Sequence, residues 1–151
     1  MIVMMEKYPP IEKIYESYSA IADDRVTLKD DHGEVFSSDR TKCYTVSFDG
    51  NIYSSNDNST YWQGYAGYPV IVILFLQGKL PLNKDTADLF KDVNWNKLNK
   101  EYKRDYNAAA QAVMNDRGID IKKIEEETAE VYECLKKLDI TITRGKLRPP
   151  K

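Results

Sequence analysis

Apolar residues recur at helical spacing from the ninth residue onward. Ile11, Ile14, Tyr15, Tyr18 and Ile21 form one stripe, leaving Glu12, Lys13 and Glu16 to water. Pro9-Pro10 precedes this stripe, and a proline suits a first turn because its missing N–H has no helical partner there anyway. Asp23-Asp24 closes the helix, after which the period drops from 3.6 to 2. Val26 and Leu28 alternate with Arg25, Thr27 and Lys29; Glu34–Ser37 reads as a second strand. In a third, Tyr44, Val46 and Phe48 share one face, with Cys43, Thr45 and Ser47 on the other. Asp31-His32-Gly33 and Ser38-Asp39-Arg40 are turn chemistry. Asp49-Gly50 before Ile52 is a hairpin signal, since a type I′ turn needs positive φ at both central residues. The pattern predicts a small antiparallel meander of three or four strands, covered on one face by helices.

Ser54–Thr60 contains no apolar residue and is expected to be loop. Tyr61–Tyr68 is rich in aromatics and glycine, and Pro69–Leu76 is uniformly apolar. Periodicity does not separate a buried strand from a buried helix in so short a run. Four β-branched residues point to a strand; Pro69 at the start and Gly78 at the stop point to a short buried helix, the reading favoured here. Three further helices are predicted. Asp85 caps a short one through Lys91, and Asn94 caps a longer one ending at Arg117-Gly118, with a stripe of Trp95, Leu98, Tyr102, Tyr106, Ala109 and Val113. Asp120 caps the last, which turns Ile121, Ile124, Val131, Leu135 and Leu138 inward and Glu125-Glu126-Glu127 outward. Residues 140–143 would make a final short strand. The fold class is α+β: N-terminal helix, meander, buried central helix and a C-terminal set of three helices. Residues 1–143 are read as a single globular domain and 144–151 as a basic, proline-containing, solvated tail.

Composition narrows the choice of function. The chain has 151 residues, enough for one domain, and a net charge of −2 from 22 basic and 24 acidic side chains. So balanced a charge argues against a surface given over to nucleic acid or anionic lipid. The 42% hydrophobic and 30% charged fractions exclude wholesale disorder. Cys43 and Cys134 carry no CxxC spacing and read as small buried apolar residues. The apolar Met1–Met5 stops at Glu6, short of a signal peptide, and Pro69–Leu76 is too short for a membrane span of ~20 residues. The expectation is a cytoplasmic protein without membrane contact.

Most catalytic patterns are missing from the sequence. Its one histidine, His32, sits in a predicted turn, and there is no GxSxG elbow, phosphate-cradling loop, dinucleotide fingerprint or HExxH helix. No catalytic set, metal site or cofactor is predicted. The segment around 54–68 holds the candidate chemistry. Asn56, Asp57 and Gln63 lie beside the rings of Tyr61, Trp62, Tyr65 and Tyr68, a set able to stack on and orient a sugar, base or peptide. The same rings could equally wrap the buried helix and seal the sheet. In the tail, Arg144, Lys146 and Arg148 are candidate phosphate contacts, although the rest of the chain then carries 18 basic against 24 acidic residues. The first expectation is a non-catalytic binding or interaction module using the 54–68 surface, with a protein partner or self-association through it. The alternatives are a nucleic-acid-binding accessory protein using tail and stacking rings, and a small hydrolase or transferase with Asp57 as acid or base.

Residues 42–76 run as a hairpin strand, a short polar loop, and a glycine–proline step into an apolar helix. In this order they resemble the SWIM zinc finger, a ββα unit whose loop begins Cys-x-Cys before Pro-Asp and whose helix begins Pro-Cys-x-His. Here the corresponding positions are Tyr53 and Ser55, then Asn56-Asp57, and Pro69-Val70-Ile71-Val72; Asp57 and Pro69 match. Tyr53, Ser55, Val70 and Val72 cannot make a tetrahedral sulfur and nitrogen site. The resemblance therefore implies a metal-free derivative in which packed atoms at Val70 and Val72 replace the ion. It also implies DNA or protein partners, as in that family.

Overall fold

Residues 7–151 are described by the computed structural model, so the Met1–Met5 stretch lies outside it. The first helix, α1 (Lys13–Ala22), starts just after the two prolines, with Lys13 N–H donating to the Pro10 carbonyl at 3.0 Å. Ile14, Tyr15, Tyr18 and Ala20 face the core. Lys13 and Glu16 do not face water as the helical stripe predicts; each is only 7% exposed. The helix is covered on more than one side, so no broad solvent face remains for them.

The strands are β1 (Val26–Leu28), β2 (His32–Phe36), β3 (Cys43–Asp49), β4 (Ile52–Ser55) and β5 (Thr141–Ile142), in the sheet order β1-β2-β3-β4-β5. The first four form the expected antiparallel meander, and β5 joins β4 in parallel as a fifth strand. His32 opens β2 opposite Ser47 instead of sitting in a turn. Asp49 pairs with Ile52, so the hairpin turn is Gly50-Asn51, one residue later than predicted, and Gly50 alone takes the left-handed conformation, at φ +58°. Arg25 is not an outward strand residue: it precedes β1, is 2% exposed, and donates from Nη1 to the Phe36 carbonyl at 2.7 Å.

Val35, Tyr44, Val46 and Tyr53 line the inner face of the sheet and meet α2 (Tyr68–Leu76). This segment is a helix, with Pro69 in its first turn and Val70–Leu74 fully buried. The sheet lies against it on one side and α1 on another, so an all-round apolar sequence is what the position needs. Packing of that kind outweighs the modest helix penalty of its β-branched residues, since each buried Val, Ile or Leu contributes about 1.5–3 kcal/mol. A methyl group at Gly33 on β2 would run into Ile73 Cδ1, so a glycine there lets strand and helix lie flush. Beyond the helix, Gly78 turns the chain at φ +75°, and Tyr53 Oη donates to Gln77 Oε1 at 2.6 Å, tying sheet to helix end.

Four C-terminal helices follow, not three: α3 (Lys84–Asp88), α4 (Trp95–Glu101), α5 (Tyr106–Asp116) and α6 (Ile121–Lys136). The long helix predicted from Asn94 to Arg117 breaks at 102–105. Lys103 and Arg104 take left-handed φ values of 52° and 67°, and Asp105 caps α5 by accepting from Ala108 N–H at 3.0 Å. A capping aspartate inside a continuous stripe therefore decides the break. Asn83, not Asp85, caps α3, accepting from Asp85 and Thr86 N–H. Trp95 Nε1 donates to Ser19 Oγ at 2.7 Å, and Ser19 Oγ donates to the Phe90 carbonyl at 2.5 Å, which fixes α4 against α1.

Residues 54–60 are not one loop: Ser54 and Ser55 end β4, and Ser59 and Thr60 open a π-helical turn, Ser59–Gln63. The tail is tied down. Arg144 Nε donates to the Tyr61 carbonyl at 3.0 Å, Gly145 packs on Ser54, and Asn56 Nδ2 donates to the Arg148 carbonyl at 3.3 Å. Cys43 is half-buried, and Cys134 is exposed on α6 instead of buried. Among the described residues no helix is long and apolar enough to cross a membrane.

Candidate functional site

The site is framed from the end of β4. Asp57 is 4% exposed; its Oδ1 accepts from Ser55 Oγ at 2.5 Å and its Oδ2 from Thr60 N–H at 3.0 Å. Thr60 Oγ1 in turn accepts from Gly67 N–H at 2.9 Å. The chain from 55 to 67 is thus stitched to itself, and the π-helical turn between buries Thr60 while exposing Trp62 and Gln63. Gly67 has φ −69°, so glycine is needed for space and not for backbone freedom: a methyl group there would meet Asp57 Oδ2 and Thr60 Oγ1.

Outside this frame lies a groove of about 970 Å³. One wall carries Asn58, Trp62, Gln63, Tyr65 and Tyr68 from the segment after β4. Tyr44 on β3 meets Tyr68 edge-on, with ring centroids 6.3 Å apart. Burial pushes the Tyr68 phenol far above its ordinary range, and Glu16 adds to this; burial likewise raises Tyr44, with Asp57 adding.

Lys13 and Glu16 of α1 also line the groove. Lys13 Nζ is 3.3 Å from Glu16 Oε2 and 4.6 Å from the centroid of the Tyr106 ring. Asn99 Nδ2 donates to Glu16 Oε1 at 3.5 Å. Burial, the largest single influence, works to lower the Lys13 ammonium, but Glu16, Tyr106 and Tyr65 together raise it by more, and the net displacement is upward. Lys13 is therefore a charged group held deep in the groove.

The remaining wall comes from the β2–β3 connection and the α4–α5 turn. Asp39 accepts from Thr41 N–H, Thr41 Oγ1, Ser37 Oγ and Asn96 Nδ2. The Thr41 hydroxyl and N–H hold this carboxyl well below the usual range, with Ser37 helping. Lys42, Lys100, Lys103 and Arg104 also line the groove and make no ion pair among the described residues.

Of the residues singled out in the sequence, Asp57, Trp62, Gln63, Tyr65 and Tyr68 converge on this groove. Asn56 does not: its Oδ1 accepts from Thr45 N–H at 2.7 Å, which caps the end of the β3–β4 pairing. Tyr61 stands edge-on to Trp62 at 4.7 Å, and the Arg144 guanidinium lies 4.8 Å from the Tyr61 centroid and 5.2 Å from that of Trp62. Lys146 borders a separate hollow of about 260 Å³ with Thr45, Ser47 and Ser54, and Arg148 is engaged through its carbonyl. The three basic tail residues therefore do not join the groove. His32 is also elsewhere, its Nδ1 2.7 Å from Asp31 Oδ1. Among the described residues no group of three or more His, Cys, Asp or Glu could hold a metal ion.

Sequence reasoning missed Lys13, Glu16, Lys42, Lys100, Lys103 and Arg104 as site residues. Only the local crowding of Lys100, Lys103 and Arg104 hinted at them.

The chain belongs to the family described as "Uncharacterised conserved protein UCP014422", which matches residues 6–141 and so spans every groove residue. No curated protein and no solved structure matches the chain.

Proposed function

We propose that this protein is a binding module whose site is the groove beside residues 57–68, and that it holds a small ligand without transforming it. The observation that carries the reading is the wall itself: Trp62, Gln63, Tyr65 and Tyr68 line one concavity, and Trp62 keeps 59% of its surface exposed. An exposed indole beside other rings in a concavity is a surface on which a planar group can stack. At about 970 Å³ the groove is at the upper end of the usual range for small-molecule sites. Asp57 serves as frame and not as acid or base, because both of its oxygens accept hydrogen bonds from the segment it closes. In this reading the SWIM-like order of residues 42–76 supplies the scaffold. The complete burial of Val70 and Val72 supports packed hydrocarbon as its staple.

Amide chemical-shift mapping tests the proposal, using nucleosides, nucleotides, mono- and disaccharides and short peptides as probes. At least one class is expected to move resonances clustered in 57–68 and 96–106, and Trp62→Ala to weaken that response. Shifts scattered over the surface, or none with any class, would remove the groove from consideration.

A further inference from the structure

The geometry points to a ligand that joins a phosphate group to a planar ring, a mononucleotide in chemical class, as the occupant of the groove; this rests on the groove being the binding site. Five cationic side chains line it (Lys13, Lys42, Lys100, Lys103, Arg104) against three acidic ones, in a chain whose overall charge is −2. The three acids are already occupied. Glu16 faces Lys13, Asp57 faces Ser55 and Thr60, and Asp39 faces Thr41, Ser37 and Asn96. The cations are not: four of the five make no ion pair among the described residues. Lys13, with its side chain 9% exposed, places one contact on Glu16 and one on the Tyr106 ring, and an ammonium has three donors. Its pairing with Glu16 therefore leaves donor capacity on Lys13.

The α4–α5 turn adds an independent observation. Lys103 and Arg104 are consecutive, neither is glycine, and both hold left-handed φ. That conformation is uncommon for such residues and collects at functional sites. Asp24, Arg40 and Asp92 also hold positive φ, but among the described residues only here are two such residues consecutive and both cationic. The rings of Trp62 and Tyr65 line the same groove, as do Asn58 and Gln63, whose amides are of the kind that pair with the edges of a base. A long polyanion fits less well, because the net negative charge of the whole chain opposes it.

Titration calorimetry on the full chain tests this, with AMP, GMP, CMP and UMP, adenosine, inorganic phosphate and a ten-nucleotide single strand as probes. At least one nucleotide is expected to bind at least about tenfold more tightly than adenosine or inorganic phosphate. The double variant Lys103→Gly/Arg104→Gly relieves both left-handed positions, so its Tm should hold or rise while nucleotide affinity falls about tenfold or more. Adenosine binding as tightly as AMP would overturn the phosphate contact and leave the groove reading intact, and binding by none of these probes would overturn the nucleotide. Phosphate binding as tightly as any nucleotide would overturn the ring. Undiminished nucleotide affinity in the glycine variant, or tighter binding of the single strand than of any nucleotide, would likewise overturn the proposal.

Discussion

Lys13 Nζ and Glu16 Oε2 stand 3.3 Å apart, with both side chains 9% exposed. Two opposite charges so placed depend on each other, because taking away one leaves the other desolvated and unpaired. Lys13→Met and Glu16→Leu should therefore each destabilise the fold, by about 3–5 kcal/mol. The double variant should cost less than the sum of the two. Denaturant unfolding of all four proteins measures the coupling; additive effects would show the pair to be idle.

Raising the pH should weaken the fold by two routes with the same sign. Lys13 sits above its ordinary 10.5 in the folded state, so its contribution is complete below pH 10.5 and is lost as pH rises through the folded value. Burial pushes the Tyr15 phenol up to about 12 and carries Tyr18 and Tyr68 higher still. Their unfolded counterparts ionise near 10, so the unfolded state gains first. Stability should be level to about pH 10 and then fall steadily, with part of the tyrosinate absorbance appearing only as the chain unfolds. A flat unfolding free energy up to pH 12 would contradict this.

Acid acts through the β2–β3 connection. Asp39 is held below its ordinary 3.8 by Thr41 and Ser37, so the stability it adds is present above pH 3.8 and is lost as pH falls toward its folded value. Asp39→Asn should remove that part of the acid dependence. Comparing the pH 5 to 2 limb of the two unfolding curves checks it, and identical limbs would assign the acid sensitivity elsewhere.

Gly67→Ala isolates the framing network from backbone effects. Its φ of −69° suits any residue, so the only penalty is collision with the Asp57 carboxylate and the Thr60 hydroxyl. Displacing them should cost about 2–3 kcal/mol and shift the fluorescence of Trp62, two residues beyond the network. A variant as stable as the parent would mean that Asp57 and Thr60 have room to retreat.

The meander and the buried central helix were legible because each rests on local pattern. Tyr44, Val46 and Phe48 alternate, and Pro69 and Gly78 punctuate an apolar run. Five of seven candidate residues in 56–68 reached one groove because they share one short, self-bonded segment. What was hidden depends on partners far along the chain. Lys13 and Glu16 look solvated on a helical wheel, which knows nothing of Asn99 and Tyr106. The break at 102–105 hides behind good helix formers, since Lys103 and Arg104 carry no sign of their left-handed backbone. The tail reads as a loose basic end until Tyr61 and Asn56 are seen to hold it.

The sheet is finished by its last-made piece. Ile52 and Tyr53 take Thr141 and Ile142 as neighbours, so during synthesis one border of β4 stays bare until those two residues have been made. A bare strand border is an invitation to wrong neighbours. Shortened products ending before Thr141 would keep that invitation open, and the two-residue hem of β5 is what withdraws it.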